Sequence, residues 1–86
     1  MRCRPLPKLP VVSGRHLLKV LQKLGYRVIR QRGSHVRLIC TTPSGEHAIT
    51  VPLHEEIARG TLNDIISRVS LINGISKDEI IRMLEL

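Results

Sequence analysis

The chain has 86 residues, 42% of them apolar, which suits one domain around one modest core and is too much for a disordered tail. Its formal charge of +7 is segregated: residues 1–45 hold ten of the 14 cations and no acid, whereas residues 46–86 hold four cations and all 7 acids. One Tyr with no Phe or Trp excludes a platform of aromatic side chains for stacking bases, and no apolar run approaches the ~20 residues of a membrane-spanning helix.

Residues 1–12 are Pro-rich and are expected to form an extended lead-in to a single domain over 13–86. The interruptions at Pro5, Pro7 and Pro10 do not fit the basic-then-apolar layout of a signal peptide, so a cytoplasmic protein is expected. Ser13 stands where a helix cap belongs. Leu17, Val20, Leu21 and Leu24 follow at helical spacing, and Gly25 stops the helix predicted over about 14–24. Tyr26 to Gln31 reads as a strand, Arg32-Gly33 as a turn, and Ser34 to Thr41 as a second strand. Thr42-Pro43-Ser44-Gly45 is turn chemistry, and a third strand runs from about His47 to Leu53, with Pro52 marking its end or an exposed edge. Gly60-Thr61 reads as the opening of a second helix, with Thr61 as cap and Leu62, Ile65, Ile66 and Val69 as its apolar stripe. Asn73-Gly74 ends that helix. Ser76 followed by Glu79 is a capping box for a short last helix to about Leu84. The expected class is α+β, ordered α-β-β-β-α with a short C-terminal helix and a three-stranded antiparallel sheet.

Two amphipathic helices need one apolar sheet face to bury against. In the second strand Val36, Leu38 and Cys40 alternate with His35, Arg37 and Ile39, so the first set is expected inside and the second on an open face. A bulge would break that parity. The cation block is the footprint of phosphate-backbone binding, which is driven by counterion release; a basic surface that only aids solubility is the alternative. His35 by itself also reads as a polar residue on a wet strand. His16 and His47 read as surface residues. His54 reads as a hydrogen-bonding residue at a strand end or a secondary functional residue. Cys3 and Cys40 lie far apart without metal-ligand spacing and read as reduced and incidental.

Leu9-Pro10, Ser13-Gly14-Arg15 before a leucine-striped helix, Gly25-Tyr26, Arg30-Gln31-Arg32-Gly33-Ser34-His35, Val51-Pro52-Leu53-His54 and Gly60-Thr61-Leu62 together resemble the HicA (YcfA-like) toxins of toxin–antitoxin systems. The blocks span residues 8–72 in the family's order and spacing. The resemblance implies a fold similar to a double-stranded-RNA-binding domain and an mRNA-cleaving activity neutralised by a HicB antitoxin. It places the family's catalytic histidine on His35. The stretch from His54 to Arg59 carries Glu55 and Glu56, which argues against a role in gripping RNA.

Histidine suits this chemistry, because an imidazole with its ordinary pKa of ~6.5 can act as base or acid near neutrality. Either role is open to it here. The expected RNA contacts are Arg30, Arg32, Gly33, Ser34 and Arg37, with Lys23 and Arg27 beside them. No acidic cluster stands nearby, so neither a metal nor another cofactor is expected. The expected partners are mRNA and a HicB-like antitoxin, with the chain a monomer when free and part of a hetero-oligomer when inhibited. The alternative is a non-catalytic double-stranded-RNA-binding module. Such modules carry lysines at the start of the last main helix, and Gly60-Thr61-Leu62-Asn63-Asp64 has none.

Overall fold

The computed structural model describes residues 9–86. Their elements are α1 (Gly14–Lys23), β1 (Arg27–Arg32), β2 (His35–Thr42), β3 (Gly45–Pro52), α2 (Arg59–Asn73) and α3 (Lys77–Leu84). The strands form one antiparallel sheet in the order β1-β2-β3. This is the expected α+β order, α-β-β-β-α with a short last helix. Most of the expected lead-in, with Cys3, lies outside the described residues. Its last part has no regular structure yet is tied down: Val12 is buried, and its carbonyl accepts a 2.9 Å bond from the Ile57 N–H. No helix among the described residues is long and apolar enough to cross a membrane.

Local chemistry sets the element ends. The Ser13 hydroxyl accepts from the His16 N–H at 3.1 Å, and the Ser76 hydroxyl accepts from the Glu79 N–H at 3.1 Å. Gly25 (φ +103°) turns the chain out of α1 into β1. The β1–β2 hairpin closes through Gly33 and Ser34, with φ +58° at Gly33 and no positive φ at Ser34, a pattern that suits a type II′ turn. That loop lies one residue later than Arg32-Gly33, so β1 and β2 are each displaced by about one residue from their expected limits. α2 starts at Arg59, not at Thr61, with Ala58 before it and no side-chain cap. The Leu62 N–H donates to the Ala58 carbonyl at 2.9 Å, so the first helical turn precedes Thr61, and its exposure leaves the orphan amides to water.

The sequence stripes converge on one core. Leu17, Val20 and Leu21 of α1 meet Val36, Leu38 and Cys40 of β2, Ile49 and Val51 of β3, Leu62, Ile65, Ile66 and Val69 of α2, and Ile80, Ile81 and Leu84 of α3. Each large apolar side chain buried there is worth about 1.5–3 kcal/mol. A one-residue slip of β2 would expose its whole inward set, a far larger loss than any surface ion pair could offset at about 0–1 kcal/mol. The core therefore fixes strand parity.

Three polar or small residues play parts that periodicity did not disclose. Gly14 is buried where α1 meets the end of β3: a Cβ there would fall on the Pro52 carbonyl oxygen and lie 2.8 Å from the Leu53 Cα. Its N–H donates to the His54 carbonyl at 2.9 Å. His16 is half-buried and not a free surface residue, because its Nε2 lies 2.6 Å from the Leu84 carbonyl and ties α1 to the end of α3. His47 is also drawn inward. It sits on the core side of β3 opposite Cys40, its ring edge-on to Tyr26 at 6.2 Å, and its Nε2 is buried with no hydrogen-bond partner among the described residues.

Tyr26 is buried, and its hydroxyl accepts from Asn73 Nδ2 at 3.1 Å, joining the start of the sheet to the end of α2. Burial pushes its phenol above the ordinary 10.0; the Asn73 hydrogen bond works against the rise and the nearby Cys40 adds to it. The folded state thus holds this proton more tightly than the unfolded chain, and the associated stability is full below pH 10 and falls as pH rises through the raised value.

Replacing Gly14 by Ala should cost about 1–3 kcal/mol, the range for overpacking at a site without room, and should appear as a lower urea midpoint with an unchanged slope. Tyr26→Phe should leave the fold intact but show a shallower loss of stability above pH 10 than wild type; an identical alkaline decline would place the titrating group elsewhere.

Candidate nucleic-acid interface

β2 has two unlike faces. Val36, Leu38 and Cys40 are buried on one, while His35, Arg37 and Thr41 are exposed on the other and Ile39 is half-buried. The helices cover the first face and leave the second open, as the alternation predicts.

The neighbouring strands complete that open face. His35 pairs with Arg32 on β1 and Pro52 on β3; Arg37 pairs with Arg30 and Thr50; Ile39 pairs with Arg27 and Ala48. Directly opposed side chains in a sheet start about 4.5–5.5 Å apart, so arginines at these positions reach across their neighbours. The result is a field of four guanidinium groups around one imidazole.

Arg27 joins this group through an irregularity. Positions 27 and 30 differ by an odd number, so a regular strand would send their side chains to opposite faces. The β1 register shifts between Val28 and Arg30, leaving one residue over, and this bulge restores Arg30 and Arg32 to the same side as Arg27. The bulge thus does not break the parity argument for His35 and Arg37 on β2. It concentrates the β1 cations beside them.

These cations are not neutralised internally. Among the described residues the one salt bridge joins Arg68 to Asp64, both on α2. The acid nearest in register, Glu46, pairs with Thr41 at the far end of β2 from His35. No three His, Cys, Asp or Glu side chains gather into a group that could hold a metal ion among the described residues.

The remaining expected residues divide. Gly33 and Ser34 form the turn that precedes His35; the Gly33 carbonyl accepts from Gln31 Nε2 at 3.3 Å, and the Ser34 carbonyl accepts from the Leu53 N–H at 2.6 Å. Those bonds fix the turn against the end of β3. His54 follows directly, exposed, with its carbonyl taken by Gly14. Lys23 is not on the sheet face: it lies in the last turn of α1 and lines a groove of about 400 Å³ with His16, Lys19, Val20 and Met83. At the start of α2, Arg59 adds one cation where lysines were absent, and Cys40 is a buried thiol.

Neither the curated proteins nor the solved structures include a significant match to the chain. The family described as HicA toxin of bacterial toxin–antitoxin matches residues 14–71 of the 86, which takes in α1, the whole sheet with its arginine field, and most of α2. The chain belongs to this HicA toxin family, and as a toxin of such a pair it has an antitoxin for a partner.

Proposed function

We propose that this toxin is a cytoplasmic endoribonuclease that cleaves mRNA with His35 as its single proton-transferring side chain, without a metal or other cofactor. The observation that carries the reading is the placement of His35 on an open sheet face among Arg27, Arg30, Arg32 and Arg37, with no acid opposite it.

RNA brings its own nucleophile. The 2′-hydroxyl attacks the adjacent phosphorus, the bond to the 5′-oxygen breaks, and the products are a 2′,3′-cyclic phosphate and a 5′-hydroxyl. One proton leaves the 2′-oxygen and one arrives at the 5′-oxygen. His35 serves one of these transfers, a contribution of about 10²–10⁴-fold, and water serves the other. Negative charge that builds on the phosphoryl oxygens is met by Arg37, two residues along the same face, and by Arg32 across the strand pair. Arg27 and Arg30 hold the flanking backbone by charge, which suits a face with no aromatic side chain to stack bases. The turn at Gly33 and Ser34 lets the RNA backbone come close to His35. Lys23, on the helical side, contributes only to the long-range field, and His54 is a secondary contact at the rim.

The antitoxin in this reading is HicB-like and covers the open face, where it removes the RNA site and neutralises the arginines together. The free toxin is a monomer and the inhibited form a hetero-oligomer.

Purified protein should cleave RNA in EDTA, and His35→Ala should lower the rate about 10²–10⁴-fold while remaining folded and still binding RNA. His35 is exposed, so the substitution should leave the fold intact, which circular dichroism checks. Cleavage by the folded variant at the wild-type rate would end the proposal, and binding without cleavage by wild type would make the chain a binding module. Arg30→Ala should weaken RNA binding evenly across sequences and reduce the slope of log affinity against log salt by about one.

A further inference from the structure

Among the described residues, nothing pairs with one whole edge of β1. Among the described residues it pairs with β2 alone, and all six of its residues are exposed. Val28 and Ile29 are 43% and 49% exposed, although both are residues that favour burial. In an antiparallel pair, alternate residues turn their N–H and C=O groups away from the partner, so an outer strand is a template for one more.

The side chains select what would fit. β1 contributes Arg27, Arg30 and Arg32 and no acid. A second copy docking edge to edge about a twofold axis would set these arginines against one another, and like charges across paired strands repel. The charges that keep copies apart favour a segment of opposite sign. RNA can reach the arginines over the open face, but it makes no use of the strand's amide edge or of Val28 and Ile29. An extended peptide with carboxylates and branched apolar residues would meet all three features.

We propose that β1 is a docking edge for an extended acidic segment of the protein partner, added as a fourth strand. This rests on the partnership that family membership brings and is independent of whether the chain cleaves RNA. The bulge at Val28–Arg30 interrupts the ladder, so main-chain pairing is centred on Arg30–Arg32 while Val28 and Ile29 supply apolar contact. A strand seated there brings its carboxylates beside Arg32, the cross-strand neighbour of His35, so docking competes with RNA.

The test is a titration of the isotope-labelled full chain with a six-residue peptide, the length of β1, alternating glutamate and valine. Two controls accompany it: the same peptide N-methylated at alternate residues, and a lysine–valine version. The proposal expects slowed amide exchange confined to β1 and its new neighbour, with each control binding at least about tenfold more weakly. Val28→Ser with Ile29→Ser, which removes the apolar contact without changing the charge of the arginine field, should weaken the peptide about tenfold and leave RNA cleavage unchanged. Equal binding of the N-methylated peptide would show attraction by charge alone and overturn strand addition. So would absence of binding, or a concentration-dependent dimer through β1 of the free chain. Peptide docking by a chain that cleaves no RNA would uphold this proposal and end the nuclease reading.

Discussion

The arrangement depends on the burial of one side of β2. Val36, Leu38 and Cys40 are held between α1, α2 and α3 by apolar contact, and a strand's period of two then leaves His35 and Arg37 no place except the other face. Nothing on the open side needs to hold them there. The site is fixed from behind, by residues that never touch it, which is why polar side chains with few partners of their own can still be well placed. The same burial sets the height of Arg30 and Arg32, since they enter only through their pairing with β2.

This division separates stability from function within single residues' reach. The core face carries apolar residues, and the open face gathers arginines that repel one another and find no carboxylate nearby. A sheet selected for stability alone would intersperse both signs. The concentration of one sign is tolerable because the guanidinium groups stand in water, and it leaves the surface ready for a polyanion or an acidic protein. On the function proposed above, substrate and inhibitor would be read by one property, and their exclusion of each other would follow from shared ground.

Much of this was legible in the sequence, for identifiable reasons. Helix stripes such as Leu62, Ile65, Ile66 and Val69 repeat with the period of the element, and caps such as Ser13 and Ser76 use chemistry that is local to the chain. The alternation in β2 was plain because both of its faces are strongly determined. Contacts between distant segments left no such trace. The bond from His16 to the Leu84 carbonyl, the inward turn of His47 onto Tyr26, and the bare approach of Gly14 to Pro52 join residues far apart in sequence, and neither spacing nor propensity reports them. The start of α2 was misplaced because Thr61 looks like a cap, whereas the Leu62 N–H already donates to the Ala58 carbonyl and so puts the first helical turn ahead of Thr61. At the site itself, residue identities pointed to His35 and the arginines, whereas the exclusion of Lys23 from their face required the layers of the fold.

The bulge in β1 adds a rule about counting. Two left-handed glycines, Gly25 and Gly33, bound this strand, and one residue between them shifts its phase. The strand therefore behaves like a reading frame. Exchanging side chains within it alters how strongly the surface attracts, and the frame survives. Losing or gaining a single residue inverts the strand from that point, turning arginines toward the core side and apolar groups toward water, whereas a change of two restores the phase. Among relatives of this protein, spacing between these glycines should thus be held more strictly than the residues that fill it.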